Sequence, residues 1–446
     1  MNRKDLWDAL DQIDDDLLAE ASRPRRKRPA WRRWGALAAC FVLVVTGIWT
    51  WERGRGEANQ ASDSAPYAIT AENVERDIPE IAPEIMPEKT EEGENVMNQF
   101  AYLTGQYLLE GTENGLYSPI SLYYAFGMAA AGAAGDTQAQ LLELLGTNSV
   151  DTLLQQCQVT PQEQEQLQIA NSIWVDDTLG ALSETYTQQV ESSFGAAVFS
   201  VDFRLPETAE QMRRWVAEQT AGLVEYTPSD PSGPLNLLNT VYFKSQWQAP
   251  FSEANTQEDV FTLSDGQEIR HEFMNGDLEG VLYQGDGYRR GELPLENGSM
   301  VFILPEEGGS LQSLLAEKGW QSLLCEGEGE TARIQWHIPK FGWDDSWQGT
   351  DLLRKLGADL AVTPDADFSG ITGEDSGLYI SDITQKTHIE VDEYGVEAAA
   401  YTEIAMKMSA YVPAEESMDL NRPFLYAICD EAGNILFMGV CANPKG

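Results

Sequence analysis

The chain has 446 residues, with 29 Lys and Arg against 72 Asp and Glu, a formal net charge of −43. Residues 1–55 hold 11 of the basic and 8 of the acidic residues, so residues 56–446 carry 18 against 64, a net of −46. Such a surface repels DNA, RNA, polyanionic glycans and anionic lipid headgroups, which excludes a nucleic-acid partner.

In chain order, Leu6, Leu10, Ile13 and Leu17 recur at helical spacing opposite Asp8, Asp11 and Asp15, predicting a short amphipathic helix within residues 1–22. The basic cluster Arg23–Arg33 precedes an apolar run from Trp34 to Trp51, with Trp31, Trp34, Trp49 and Trp51 at its ends. About 18 apolar residues with interfacial aromatics reach the lower limit of a membrane span. The basic side faces the cytoplasm, so the remainder is expected outside. A cleaved signal peptide is the alternative, but no small-x-small site follows the run. The box Leu37-Ala38-Ala39-Cys40 sits at the start of that run and is a poor lipidation site. Residues 52–93 are polar, acidic and rich in Pro, the composition of a flexible linker.

From residue 94 to 446 the pattern is that of one mixed domain. Helices are predicted at Val96–Glu110, Ser121–Ala134, Thr137–Leu145 and Ala209–Ala221. Strands are predicted at Leu237–Phe243, Met300–Leu304, Arg333–Ile338, Phe424–Cys429 and Ile435–Cys441, the last two around the turn EAGN. Cys40, Cys157, Cys325, Cys429 and Cys441 show no paired spacing. A turn near Ala432-Gly433 sets Cys429 opposite Ile435 or Leu436, out of register for a bridge to Cys441.

No catalytic constellation emerges. His271, His337 and His388 lack an HExxH pairing or a Cys at ligand spacing, and no GxSxG elbow is present. Gly327-Glu328-Gly329 lacks the Lys-Ser/Thr end of a phosphate loop. The chain is read as a non-enzyme that needs no metal or cofactor.

Lys386–Ile428 is the most unusual stretch. Val396, Ala398, Ala400, Thr402 and Ile404 are small or apolar, and Glu397, Tyr401 and Glu403 between them are bulky or charged. That period of two suits a strand with one buried face. Yet it opens at the turn Asp392-Glu393-Tyr394-Gly395 and closes in a Ser, Pro and Glu mixture typical of exposed loop. A segment patterned for burial but flanked as a loop points to a conformational switch.

This stretch resembles the hinge and reactive loop of the serpins, the serine protease inhibitor family. Asn114–Leu141 (NGLYSPISLYYAFGMAAAGAAGDTQAQL) resembles the family's second helix, with its N-x-x-x-SPxS start. Ile169–Asp177 (IANSIWVDD) and Asn239–Phe251 (NTVYFKSQWQAPF) resemble the strands and turn around its central sheet. Ile338–Phe341 (IPKF), Asp365–Thr372 (DADFSGIT) and Asn421–Pro444 follow in the family's order. The resemblance implies an α+β serpin fold of three β-sheets and eight or nine helices, with an exposed reactive-centre loop. It implies a suicide substrate whose cleaved loop inserts into the central sheet and carries the trapped acyl-enzyme away. The alternative is a non-inhibitory relative acting as a binding or structural module.

By the same resemblance, Glu393, Gly395, Val396, Glu397, Ala398, Ala399, Ala400 and Thr402 form the hinge. Asn114, Ser118, Ser121, Asn239, Trp247 and Gln385 belong to the region that opens for the new strand, with Trp247 at its top. Gln385 stands where the family commonly has His. The family's spacing from the hinge Glu, carried over to Glu393, implies a scissile bond at Ser409-Ala410, with Met408-Ser409 and then Lys407-Met408 as the alternatives. Ser409 or Met408 fits a subtilisin-, elastase- or chymotrypsin-like serine protease, Lys407 a trypsin-like one, and a cysteine protease is a further target class. Thr137–Gln166 lacks the basic patch of polyanion-activated relatives, so no heparin-type activator is expected. The protein is expected to be a monomer.

Overall fold

The structure, a computed structural model, describes residues 95–111, 113–159, 167–220, 222, 226, 233–373, 377–396, 414 and 416–446. The segment Trp34–Trp51 and the loop from Glu397 to Pro413 lie outside the described residues. No helix among the described residues is long and apolar enough to cross a membrane.

Nine α-helices are described: α1 (Val96–Leu109), α2 (Pro119–Gly132), α3 (Gly135–Leu144), α4 (Val150–Val159), α5 (Glu184–Phe194), α6 (Pro206–Gln219), α7 (Leu311–Cys325), α8 (Gly349–Lys355) and α9 (Ser369–Thr372). The first eight strands are β1 (Asn114–Tyr117), β2 (Leu167–Asp176), β3 (Ala197–Val201), β4 (Leu235–Phe243), β5 (Ser245–Gln246), β6 (Gln257–Thr262), β7 (Glu268–Gln284) and β8 (Tyr288–Leu295). The rest are β9 (Gly298–Pro305), β10 (Glu330–Pro339), β11 (Phe341–Gln348), β12 (Ile380–Asp392), β13 (Gly395–Val396), β14 (Glu416–Asp419), β15 (Phe424–Cys429) and β16 (Ile435–Cys441).

The helices and strands predicted from Val96 onward are all present, with ends moved by a few residues, and the helix predicted within residues 1–22 lies outside the described residues. Helix α2 starts two residues before its predicted start because Ser118 caps it, accepting from the Ser121 N–H at 3.4 Å, and Pro119 takes the first turn. Its sequence PISLYYAFGMAAAG is apolar on every side, so it has no solvent face and is buried almost throughout. Small residues let neighbours close in: a Cβ on Gly127 would meet Phe194 at 2.8 Å, and one on Gly132 would meet Ile371 at 2.5 Å.

The strands join into two hydrogen-bonded networks. One runs β3-β2-β4-β12-β13-β5, with β11 on β12; the other runs β1-β16-β15-β9-β8-β7-β10-β14, with β6 on β7. Three sheets are expected from the resemblance. Here the 17-residue β7 pairs with β6 along its first half and with β8 at its end, which makes two of them continuous. Cys429 pairs with Ile435 and Cys441 with Phe424, and the four described cysteines are free. Helix α2 packs behind the first network against β4 and β12 and reaches β16 of the second. The middle of the first sheet therefore rests on one buried helix.

Candidate functional site: the seam of the central sheet and its hinge

Strands β4 and β12 are parallel neighbours, paired from Leu235 and Ile380 up to Val241 and Thr387. Parallel strands with a long crossover are usually covered on both faces, and β4 carries mostly apolar residues here, whereas β12 alternates Ile380, Ile383, Ile389 and Val391 with polar residues. Polar residues interrupt that run at one level, and they meet. Gln385 Oε1 accepts from the Ser118 N–H at 2.9 Å, and its Nε2 donates to Ser118 O at 2.8 Å. The Ser118 hydroxyl donates to Leu436 O at 2.7 Å. The Ser121 hydroxyl donates to Asn239 Oδ1, and Asn239 Nδ2 donates to Asn171 Oδ1 at 2.6 Å. Asn171 Nδ2 then donates to Phe194 O at 2.8 Å.

Ser118, Ser121, Asn171, Asn239 and Gln385 are each at most 2% exposed. Their network spans α2, β2, β4, β12 and β16, and every member is neutral. Gln385 satisfies both backbone groups of Ser118 with one planar amide, which an imidazole cannot do. Asn171 went unassigned in the sequence, although it lies in the IANSIWVDD motif; the missing signal was its direct register with Asn239 on the neighbouring strand. Asn114 stands apart from this network. Its Oδ1 accepts from the N–H groups of Ala442 and Asn443, both at 2.9 Å, and its Nδ2 donates to Asn443 O at 2.7 Å, so it ties down the end of β16.

Above Thr387 the arrangement changes. The chain turns at Glu393-Tyr394, and Gly395-Val396 returns as β13, antiparallel to β12 (Val391 with Val396, Asp392 with Gly395). On its other side β13 pairs antiparallel with β5 (Gly395 with Gln246, Val396 with Ser245). The Val396 side chain is buried, 2% exposed, in the main core. Gly395 has φ +152°, and a Cβ there would lie 2.2 Å from Ser245 O, so the slot admits only glycine.

The turn is held by one segment. Trp247 Nε1 donates to Asp392 O at 2.8 Å, the Phe251 N–H to Glu393 O at 2.9 Å, and the Trp247 N–H to Tyr394 O at 2.9 Å. Three successive carbonyls thus face residues 247–251. The Asp392 carboxylate accepts from the Tyr394 and Gly395 N–H groups at 2.8 and 3.2 Å, an Asx-turn. Burial pushes the Asp392 carboxyl up.

Glu393 is 5% exposed; Thr256 Oγ1 donates to its Oε1 at 2.6 Å, and Lys340 Nζ lies 3.1 Å from its Oε2. Burial alone would raise this carboxyl, but the Thr256 hydroxyl and the Lys340 ammonium together hold it below the usual glutamate value. Lys340 moves oppositely: burial opposes its charge, and Glu393 more than restores it. Lys340 belongs to the IPKF motif, yet the sequence assigned it no role, because 53 positions separate it from its partner. Glu397, Ala398, Ala399, Ala400, Thr402, Met408, Ser409 and Ala410 lie outside the described residues. Among the described residues no group of three or more His, Cys, Asp and Glu side chains is placed to hold a metal.

A buried neutral lock thus joins the two parallel strands β4 and β12, and above it a short strand enters between β12 and β5 from a clamped turn. A family model described as serpin, serine protease inhibitor, matches residues 95–444. Serpin-Z7 of Hordeum vulgare is 32% identical over 360 residues, covering 74% of this chain and 90% of its own. Serpin A3-7 of Bos taurus is 31% identical over 358 residues, covering 76% and 85%. Among solved structures, the thermophilic serpin Tengpin in its native state superposes with a TM-score of 0.71 at 28% identity, covering 80% of this chain and 96% of its own. Serpin48 of the insect Tenebrio molitor gives 0.70 at 27%, covering 79% and 99%. The chain belongs to the serpin family, an α+β family of protease inhibitors rather than enzymes, whose targets are serine proteases.

Proposed function

We propose that this protein is a suicide-substrate inhibitor of serine proteases that works by loop cleavage, acyl-enzyme trapping and insertion of the loop between β4 and β12. The observation that carries this reading is the placement of Gly395-Val396. The first two residues after the turn already run antiparallel between β12 and β5, the direction a full inserted strand would take. Val396 is buried there, and by period-two parity Ala398, Ala400 and Thr402 follow it inward, where small side chains avoid overpacking. Glu397 and Tyr401 face out on the same parity.

The bait is Ser409-Ala410, with Met408-Ser409 as the alternative, and the target is a subtilisin-, elastase- or chymotrypsin-like protease. An extracellular location fits a serpin domain. The apolar run Trp34–Trp51 and its basic flank support display of residues 94–446 on the outer side of a membrane, through the linker 52–93, with residues 1–33 inside.

The test is incubation of the protein with subtilisin, elastase, chymotrypsin and trypsin. A covalent adduct that survives SDS, with release of the peptide beginning at Ala410, is the expected result. Cleavage of the loop with fully active protease sinks the inhibitory reading and leaves the binding-module alternative.

A further inference from the structure

The hinge turn rests in a cradle formed by residues 247–256. Its inner contacts are the three backbone carbonyls on Trp247 and Phe251 and the Glu393 carboxylate on Thr256, and Trp247, Phe251 and Glu393 are all buried. One further contact lies outside them. The Tyr394 hydroxyl donates to the carboxylate of Glu253, the exposed first residue of the 3₁₀ turn Glu253–Asn255. Tyr394 is the residue immediately before β13, and its own N–H is fixed by Asp392. A side chain that pins this residue also sets whether Gly395-Val396 can swing out of the slot.

We propose that Tyr394 and Glu253 form an outer latch that holds Gly395-Val396 in the sheet, with Tyr394 acting as a positioning residue for loop insertion. The inner contacts fix the turn as a whole, and they bear on residues 392–394 alone. The outer one acts at the joint between turn and strand, at the surface, where it can open without unfolding the cradle. An opened latch lengthens the free loop by two residues and delays the first step of insertion after cleavage. The consequence for inhibition rests on the loop-insertion reading above; the position of the hinge does not.

The experiment is amide hydrogen exchange on the full chain, with Thr384–Ile389, which pair with β11, as internal reference. Tyr394→Phe and Glu253→Ala are each expected to speed exchange at Gly395 and Val396 by about 5- to 10-fold, the size of one net hydrogen bond, with the reference amides unchanged. Glu253→Gln, which keeps a carbonyl acceptor, is expected to stay near the parent. The double variant Tyr394→Phe/Glu253→Ala is expected to match either single one, because both remove the same contact. Unchanged hinge exchange in Tyr394→Phe, or effects that add in the double variant, overturns the latch. Adduct formation with the protease panel is read in parallel. Loss of all adduct in the parent protein refutes the inhibitory reading while the exchange result stands by itself.

Discussion

Below Thr387 the seam between β4 and β12 is shut by direct backbone pairing and by a neutral side-chain lock. Above it the same strand β12 has traded β4 for β13, and neutral bonds from the buried Trp247 and Phe251 are joined there by the Glu393–Lys340 ion pair and the surface bond of Tyr394 to Glu253. The lower half uses Ser, Asn and Gln, whose hydrogen bonds are alike from pH 4 to 9. The upper half uses Asp392, Glu393 and Lys340, whose charges depend on pH and on water. On the proposed insertion mechanism, a strand entering from the top meets the pH-dependent contacts first and the buried neutral lock afterwards. In a buried network each broken bond strands a polar group, which costs more than the bond contributed when made.

The difference between the halves can be broken most strongly at β13. Val396→Arg places an unpaired charge in the core, a loss of about 3–5 kcal/mol, and is expected to expel the hinge. Exchange at Gly395 then rises by about 100-fold or more on the tenfold-per-1.4-kcal/mol scale. The corresponding change further along, Ala398→Arg, is expected to turn inhibition into simple substrate cleavage, read as loss of the SDS-stable adduct.

The lower half is next. Gln385→Leu strands the N–H of Ser118, whose C=O keeps the Leu122 N–H at 3.1 Å, and at about 1–3 kcal/mol per buried orphan the native form is expected to lose about that much in denaturant unfolding. A loss under about 0.5 kcal/mol would show that the lock contributes nothing to keeping the seam shut.

Lys340→Met leaves Glu393 buried without its cation. The expected loss is about 2–3 kcal/mol, less than for a fully buried pair because Lys340 is one-third exposed. The pH dependence has a definite sign. Glu393 is held below its unfolded value, so its contribution is complete above about pH 4.3 and fades as pH falls through the folded value. Lys340 is raised, so its contribution is complete below about pH 10.4 and fades at higher pH. The cost of Lys340→Met should accordingly be flat from pH 5 to 9 and disappear in acid. A cost that persists at pH 3 would assign the effect to packing of the lysine stem.

Ser121→Ala is the mildest change, expected to cost about 1–2 kcal/mol by removing the donor to Asn239. Because every group in the lower lock is neutral, that cost should be equal at pH 5 and pH 8. A pH-dependent cost would mean that the two halves are coupled through β12.

Much of this was legible in the residues. The apolar surround of α2, its Ser-Pro start, the alternation after Gly395 and the hairpin at the C-terminus are local patterns whose period or turn chemistry identifies them. The contacts across the seam were not legible in the same way. Gln385 and Ser118 are separated by 267 positions, Lys340 and Glu393 by 53, and nothing in a local period says which buried polar groups will share a hydrogen bond. Asn114 shows the limit from the other side. Its motif neighbours Ser118 and Ser121 both enter the lock, whereas Asn114, four residues earlier, belongs to the β1–β16 junction.

The sequence by itself determined the family of the domain, because its motifs follow one order along the chain, and it marked which alternating side chains suit a buried face, because that depends on residue type and spacing along one segment. Only the tertiary structure decided that β4 and β12 are already paired, that Gly395-Val396 enters between β12 and β5, and that Lys340, Thr256 and Glu253 hold the turn. Those facts depend on strands distant in the chain arriving side by side. The register between them is fixed by packing on α2 and by the satisfaction of buried polar groups, terms that exist only once the whole core has closed.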